Sequence, residues 1–225
     1  MADSPPAIAT HNPDLQHHFA TMEQQTEAAV MGMWVFLITE IMFFGGMFAG
    51  YMIYRFMYYQ AWLEGSQHMD FWWGTINTVV LLCSSLTMAA AVRATQLGLR
   101  KSTVTLLGIT ILFGLAFLGI KAIEYYGHIV TDHQFPGPGF RFEGANPSQV
   151  EMFFSFYFAM TGFHALHMLI GVGLVAFIAY HAWKGRYGAH YYTPVENVGL
   201  YWHFVDIIWI YLYPLFYLIS HIHRK

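Results

Sequence analysis

Residues 152–183 read MFFSFYFAMTGFHALHMLIGVGLVAFIAYHAW, and none of these positions holds Asp, Glu, Lys or Arg. An α-helix needs about 20 apolar residues to cross ~30 Å of hydrocarbon. Ser148 and Glu151 precede the stretch in the pattern of a capping box, which predicts a helix over residues 149–183. A stretch of this length indicates a membrane-spanning helix that tilts or extends beyond the bilayer.

Other stretches of the chain have the same character. The predicted helices cover residues 28–57, 71–93, 103–129, 149–183 and 194–222, and residues 1–27 are predicted to form a polar tail. A second capping box, from Thr193 to Glu196 with Pro194 at the first helical position, marks the start of the last helix. The sequence therefore predicts an all-α integral membrane protein, with a five-transmembrane-helix bundle over residues 28–225.

The composition agrees with a membrane protein. Apolar residues make up 56% of the chain and charged residues only 10%, whereas an average soluble domain has about 25% charged residues. The net charge of −3 and the lack of a basic run argue against a nucleic-acid partner. Because Cys83 is the only cysteine, the chain has no internal disulfide and no thiolate cluster.

The distribution of Lys and Arg between the loops predicts the orientation of the chain. The loops on one side hold Arg93, Arg100, Lys101, Lys184 and Arg186, and the other side holds Arg55, Arg141, Arg224 and Lys225. Because cytoplasmic loops carry an excess of positive residues, the N-terminus is predicted to be cytoplasmic and the C-terminus periplasmic.

Glu40 is the only charged residue between residues 28 and 54. An acidic residue at the centre of a membrane helix costs roughly 2.5–3.5 kcal/mol on insertion scales, so such side chains face protein or water. Gly45, Gly46 and Gly50 follow it and form a face of small residues that would let another helix approach closely. We therefore expect Glu40 to lie inside protein, next to a tight helix crossing.

Two pairs of ionisable residues lie in later spans, each pair three residues apart. Lys121 and Glu124 share one face of the third span, where an internal ion pair is the favoured interpretation. His203 and Asp206 have the same spacing in the fifth span. Asp206 is expected either to hold a protonated His203 or to bond to a partner on a neighbouring helix.

His164 and His167 share a face of the fourth span. Two imidazoles at this spacing could bind a metal, and His203 could supply a further haem ligand from a facing helix. A di-iron site in a helix bundle would use Glu-x-x-His on two helices, and the sequence has no such motif. Hydrogen-bonded packing is therefore the favoured role of the histidines, and no catalytic or metal-binding residue is assigned to this chain.

Several of these stretches together resemble the subunit III family of haem–copper cytochrome c oxidases. The resemblance rests on WVFLITEIMFFGG at residues 34–46, on Asn77-Thr78 with Ser84-Ser85, on residues 121–125, on TGFHALH at residues 161–167 and on YWHFVDIIW at residues 201–209. The matching stretches occur in the same order as in the family and cover nearly everything after residue 30.

The resemblance implies a helical bundle without a redox centre of its own, packed directly against the catalytic subunit I, with subunit II and other respiratory subunits as further candidate partners. Haem and copper would belong to the partner subunits, and bound phospholipid is expected. The chain is similar to the short, five-helix bacterial form of the inner membrane, because it begins at the equivalent of the third helix in seven-helix members. The family supports proton uptake into subunit I and protects its binuclear centre during turnover.

The resemblance also implies a specific contact between two helices. Glu40 matches the family's reactive carboxyl, and His164 and His167 match the histidine pair that faces it. These matches predict a hydrogen bond between Glu40 and a histidine of the fourth span, because either group would be costly to leave unpaired in an apolar environment.

Other interpretations stay open at this point. The chain could be subunit III of a quinol oxidase or an accessory subunit of a nitric oxide reductase system. From another class, it could be an independent haem or metal membrane protein that uses His164, His167 and His203. A stand-alone transporter is disfavoured, because the sequence shows neither an internal repeat nor a facing pair of broken helices.

Overall fold

The computed structural model describes residues 15–142, 144 and 146–219, and the regular structure of these residues is helical. In chain order the helices are α1 (Met22–Met57), α2 (Tyr59–Ser66), α3 (Phe71–Gln96), α4 (Arg100–Tyr126), α5 (Pro147–Trp183) and α6 (Thr193–Tyr217). A π-helical turn, Gly127–Thr131, continues α4. Every helix except α2 is long and apolar enough to cross a membrane, so the predicted all-α architecture with 5 spans is confirmed.

Some helix ends differ from the predicted ones. α1 begins at Met22 instead of residue 28, because the hydroxyl of Thr21 accepts a hydrogen bond from the N–H of Gln24 at 3.2 Å and caps the helix. The predicted polar tail is therefore helical at its end, and its residues 1–14 lie outside the described part. α4 begins at Arg100 instead of residue 103, and α6 ends at Tyr217. Residues 220–222 of the range predicted for the last helix lie outside the described part.

Both predicted capping boxes are wrong. The residue before α5 is Asn146 and the residue before α6 is Tyr192, and neither makes a side-chain cap. Ser148 and Thr193 lie inside the first turn, where a residue with helical backbone cannot serve as the cap. Glu151 instead accepts a hydrogen bond from the N–H of Gly137 at 2.8 Å, which ties the loop before α5, with the sequence FPGPG at residues 135–139, to that helix.

The last four long helices form a bundle in which each helix has two neighbours. α3 packs against α4, α4 against α5, α5 against α6 and α6 against α3. The other long helix, α1, lies outside this square and packs mainly against α6. α6 is consequently the most buried span and α1 the least buried one.

The short helix α2 was not predicted. Its residues Ala61, Trp62 and Gly65 are buried against α5. A Cβ atom at Gly65 would come within 2.5 Å of the Phe153 ring, so only glycine allows this close approach. A helix of only 8 residues leaves too short a pattern in the sequence to be predicted. It is stable because it packs against the bundle, and not because of the helix propensity of its residues.

The tight crossing expected beside Glu40 is not formed within the described residues at Gly45 or Gly46. A Cβ atom at either position would meet no atom within 4 Å, whereas one at Gly50 would lie 3.5 Å from the Phe156 ring. Gly45 instead lines an open groove between α1 and α6. The face of small residues is therefore available to a lipid or to another protein along most of its length.

Close packing in the bundle core depends on other glycines. A Cβ atom at Gly114 of α4 would lie 2.8 Å from the Trp202 ring and 2.9 Å from Val172. We expect Gly114→Ala to lower the free energy of unfolding by about 1–3 kcal/mol, the usual range for an overpacked core. The measurement is an SDS titration of the purified chain in detergent micelles.

Gly119 of the same helix provides the matched control for Gly114. A Cβ atom there would meet nothing within 4 Å, so Gly119→Ala should be neutral or stabilise the chain by up to about 1 kcal/mol. Equal effects of the two substitutions would contradict the close contact between α4 and Trp202.

Candidate functional site

The predicted ion pair between Lys121 and Glu124 is present in the core of the bundle. The Nζ atom of Lys121 lies 3.1 Å from Oε2 of Glu124, and both side chains are almost completely buried. Lys121 also donates hydrogen bonds at 3.0 Å to the hydroxyls of Tyr157 and Tyr217. Both hydroxyls in turn donate hydrogen bonds to Oε1 of Glu124, and the bond from Tyr157 is 2.7 Å long. The pair is therefore held by α5 and α6 as well as by its own helix.

Aromatic rings enclose the ammonium group of Lys121. Its Nζ atom lies 5.0 Å from the ring centroid of Tyr125, 4.9 Å from that of Tyr157, 5.3 Å from that of Trp209 and 5.7 Å from that of Tyr217. Ring faces attract cations, and this attraction grows when water is excluded. The rings and the carboxylate together compensate a positive charge that has left water.

A buried histidine at the end of α4 packs against Tyr157, one of the tyrosines bonded to the ion pair. His128, which is buried in the π-helical turn, bonds to Oε1 of Gln134 at 2.9 Å and lies 3.8 Å from the carboxylate of Asp132. Its ring centroid is 5.7 Å from that of Tyr157. Sequence reasoning missed His128, although a histidine one helical turn after Glu124 was a usable signal.

The predicted bond between Glu40 and the histidines is confirmed for His167. The Nε2 atom of His167 lies 3.1 Å from Oε2 of Glu40, which joins α5 to α1. Its Nδ1 atom lies 2.8 Å from the carbonyl oxygen of Phe163 and must carry a hydrogen, because a carbonyl only accepts. One further hydrogen is therefore shared between Nε2 and the Glu40 carboxyl.

His164 does not reach Glu40, so the implication that both histidines face this carboxyl is wrong. Residues three apart on a helix differ by about 60° in direction, so His164 points into the bundle core while His167 points to α1. The His164 ring packs against Phe117 at 5.5 Å and Trp209 at 5.2 Å. Neither of its ring nitrogens has a hydrogen-bond partner among the described residues.

His203 and Asp206 do not bond to each other, so that alternative is wrong. The Nδ1 atom of His203 lies 2.7 Å from the hydroxyl of Ser85 on α3. Asp206 is only 3% exposed, and neither of its carboxyl oxygens has a hydrogen-bond partner in the described part of the chain. Ser85 lies near the Asp206 carboxyl, but at a geometry that does not make a hydrogen bond.

Hydroxyl groups on α3 make a series of contacts with α6. Trp202 donates to Ser84 and Trp209 donates to Thr78, each at 3.1 Å, and the hydroxyls of Thr75 and Tyr213 lie 2.7 Å apart. In an apolar medium such bonds between helices fix their rotation and register. The signal in the sequence was the run of Ser and Thr residues on one face of α3.

The histidines do not converge on a common point. His167 faces α1, His164 packs in the core and His203 faces α3, each with different neighbours. Over the residues that the structure describes, no three His, Cys, Asp or Glu side chains are grouped so that they could hold a metal ion. The alternative of a shared haem or metal site formed by these histidines therefore has no support in their geometry.

The Glu40–His167 bond leads to a prediction about stability. We expect Glu40→Leu to lower the free energy of unfolding by about 1–3 kcal/mol, because it leaves the Nε2 atom of His167 unpaired. Glu40→Gln should cost less than about 1 kcal/mol, because the amide keeps the size of the side chain and its hydrogen-bonding groups. SDS titration measures both, with Met42→Leu on the exposed face of α1 as the control. Equal losses for Leu and Gln would contradict the bond.

Comparisons with known proteins place the chain in a family. The sequence model described as cytochrome c oxidase subunit III matches residues 13–221. Cytochrome c oxidase subunit 3 of Thermostichus vulcanus is 35% identical over 196 residues, which cover 85% of this chain and 87% of that protein. Cytochrome bo(3) ubiquinol oxidase subunit 3 of Pseudomonas aeruginosa is 28% identical over 192 residues, 85% of each chain.

A further relative joins two subunits in one chain. The heme-copper oxidase subunit I+III of Aeropyrum pernix is 29% identical over 197 residues, which cover 83% of this chain and 22% of that longer protein. The match to the family model includes all the membrane-spanning helices. As the motifs around Glu40, His167 and His203 had indicated, the chain belongs to the cytochrome c oxidase subunit III family.

Proposed function

We propose that this chain is the non-catalytic subunit III of a respiratory haem–copper terminal oxidase, in which O2 reduction is coupled to proton pumping. In this role it stabilises the catalytic subunit I and supports the uptake of protons by that subunit. The observation that carries the proposal is the family match over the whole membrane domain. The relative that combines subunits I and III in one chain supports subunit I as the direct neighbour.

The bonding of the ionisable residues is consistent with a supporting role. Lys121, Glu124, Glu40 and His167 are each bonded to a residue of this same chain. Groups held this way lock helices together, because separating them would leave polar atoms unpaired in an apolar medium. We assign no chemical step to this chain, and the haem and copper of the proposed oxidase belong to partner subunits.

A bound phospholipid is part of the proposal. A groove of about 670 Å³ runs between α1 and α6 and is lined almost entirely by apolar side chains, with Trp34 and Leu37 towards one end and Met52 and Leu215 towards the other. Its shape and lining suit an acyl chain. Because α1 is the outermost span, a lipid there would also cover apolar surface that the chain leaves exposed.

The proposed location is the cytoplasmic membrane of a bacterium, with the N-terminus in the cytoplasm and the C-terminus in the periplasm. The helices support a multi-pass membrane protein. The proposed orientation rests on the excess of Lys and Arg in two of the loops.

Purification through an affinity tag on this chain tests the proposal. In mild detergent, a haem- and copper-containing subunit I should co-elute with the tagged chain, and subunit II should accompany it. The spectrum of the complex should be lost when subunit I is removed by harsher detergent. A stoichiometric Soret band that stays with the isolated chain would contradict a non-catalytic role.

Glu40 has a packing role in this proposal, which leads to a prediction about turnover. A complex that carries Glu40→Gln should keep its turnover rate and its number of pumped protons, because the amide can still bond to His167. The measurement is O2 consumption and proton release by the oxidase in vesicles. A lower pumping ratio with subunit III still bound would instead assign the Glu40 carboxyl a part in proton uptake.

A second candidate is subunit III of a quinol oxidase. The similarity to the ubiquinol oxidase subunit of Pseudomonas aeruginosa favours it, while the higher identity to the Thermostichus vulcanus protein favours the cytochrome c type. Assaying the co-purified complex with reduced cytochrome c and with ubiquinol distinguishes the two. Activity with ubiquinol alone would decide for the second candidate.

A further inference from the structure

Polar side chains interrupt the apolar outer surface where α3 meets α6. The bond between Ser85 and His203 lies near the middle of both helices. Neither residue is fully buried. The antiparallel register set by the bonds between α3 and α6 places exposed apolar side chains around the pair. We name this area the seam surface; its members are Leu82, Ser85, Leu86, His203, Ile207 and Ile210.

Hydrogen-bonding groups at the seam surface are incompletely satisfied by this chain. The Nδ1 atom of His203 bonds to Ser85, and its Nε2 atom has no partner among the described residues. Asp206 lies one helical turn from His203, but its carboxyl oxygens are buried inside this chain and do not belong to the seam surface. Leaving the Nε2 atom of His203 unpaired away from water is unfavourable.

Acyl chains cannot satisfy this nitrogen. The seam surface lies half-way along the spans, at the depth of the lipid tails, and tails carry neither donors nor acceptors. Interfaces between membrane helices, in contrast, are enriched in Ser, Thr, Asn, Gln and His side chains that bond across the contact. The surrounding Leu and Ile side chains would pack against such a helix, and the imidazole of His203 would bond to it.

We propose that the seam surface is the docking site of a transmembrane helix of the catalytic subunit I, which presents a hydrogen-bonding side chain to His203 at mid-membrane. This inference rests on the proposed function, because it takes subunit I as the neighbour. It adds which face of this chain meets that neighbour and which chemistry holds the contact. The α1/α6 groove, which His203 also lines, borders the docking site.

Site-specific photo-crosslinking in the assembled complex tests the location. A photoreactive phenylalanine analogue at Leu86, which is 72% exposed, should cross-link to subunit I. The control position is Leu112 on the outer face of α4, which is 67% exposed and lies across the bundle from α6. It should give no cross-link to subunit I. Cross-linking from Leu112 but not from Leu86, or from Leu86 only to lipid or to a second copy of this chain, would overturn the proposal.

A pair of substitutions tests the chemistry of the contact. His203→Leu and Ser85→Ala both remove the bond between α3 and α6, but only His203→Leu removes the imidazole. We expect His203→Leu to weaken retention of subunit III on subunit I by about threefold to tenfold, the range for one hydrogen bond between membrane helices. Ser85→Ala should weaken it much less. Equal retention of the two variants would show that His203 acts only within this chain.

The result for the unsubstituted chain separates this inference from the proposed function. If the wild-type chain does not co-purify with subunit I at all, the proposed function is wrong. If it co-purifies but the cross-links arise from another face, only the docking site is wrong.

Discussion

Replacing Lys121 by Met should lower the free energy of unfolding by about 3–5 kcal/mol, the cost of leaving a buried ion-pair partner uncompensated. The carboxylate of Glu124 would keep the hydroxyl donors of Tyr157 and Tyr217 but would lose the ammonium group 3.1 Å away. An SDS titration of the purified chain measures the loss. The same substitution at Lys101, which is exposed at the start of α4, is the control and should change stability by less than about 0.5 kcal/mol.

The double variant Lys121→Met with Glu124→Gln tests the physical reason. It removes both charges, and the carbonyl oxygen of the introduced amide can still accept hydrogen bonds from the two tyrosines. We therefore expect it to regain most of the stability lost in Lys121→Met, because replacing a whole buried ion pair is often close to neutral. A double variant less stable than Lys121→Met would contradict this explanation, because the loss in Lys121→Met would then not come from the uncompensated charge of Glu124.

Trp209→Ala should lower the free energy of unfolding by about 3 kcal/mol, at the lower end of the range for removing a buried Trp. The lower end is expected because the helix stays in an apolar medium when the bundle unfolds. The loss of stability then comes mainly from the cavity and the lost contacts, and not from exposing the ring to water. The Trp209 ring lies 4.8 Å from Phe117 and 5.2 Å from His164, and its N–H donates to Thr78. The substitution therefore removes contacts to three other helices.

Trp72 serves as the control for this second prediction. It belongs to the first turn of α3 and is 70% exposed, so Trp72→Ala should change stability by less than about 0.5 kcal/mol. Circular dichroism during the SDS titration shows whether helix content is retained. A loss at Trp209 no larger than that at Trp72 would contradict the central position of the ring.

Both predictions concern residues that join the helices to one another. A rigid bundle presents fixed outer faces to its neighbour. The Glu40–His167 bond holds the outermost span to the bundle, and the Ser85–His203 bond holds the seam surface in register. Loosening either contact should affect assembly before it affects the helices themselves.

The number and approximate positions of the spans followed from the sequence alone, because the length and hydropathy of a membrane helix are local properties. The Lys121–Glu124 pair could also be predicted, because both residues lie on one turn of one helix. The bond between Glu40 and a histidine of the fourth span was predicted from the resemblance to the oxidase family. The predicted helix caps were wrong, because α5 begins two residues and α6 one residue earlier than expected, so that Ser148 and Thr193 are ordinary helical residues.

Only the tertiary structure separated His167, which bonds to Glu40, from His164, which packs in the core. It alone brought Tyr157 and Tyr217 to the ion pair and Ser85 to His203. The physical reason is that contacts between helices depend on how far each helix is rotated about its axis and shifted along it. Periodicity within one helix shows which residues share a face, but the packing of all the helices determines what that face meets.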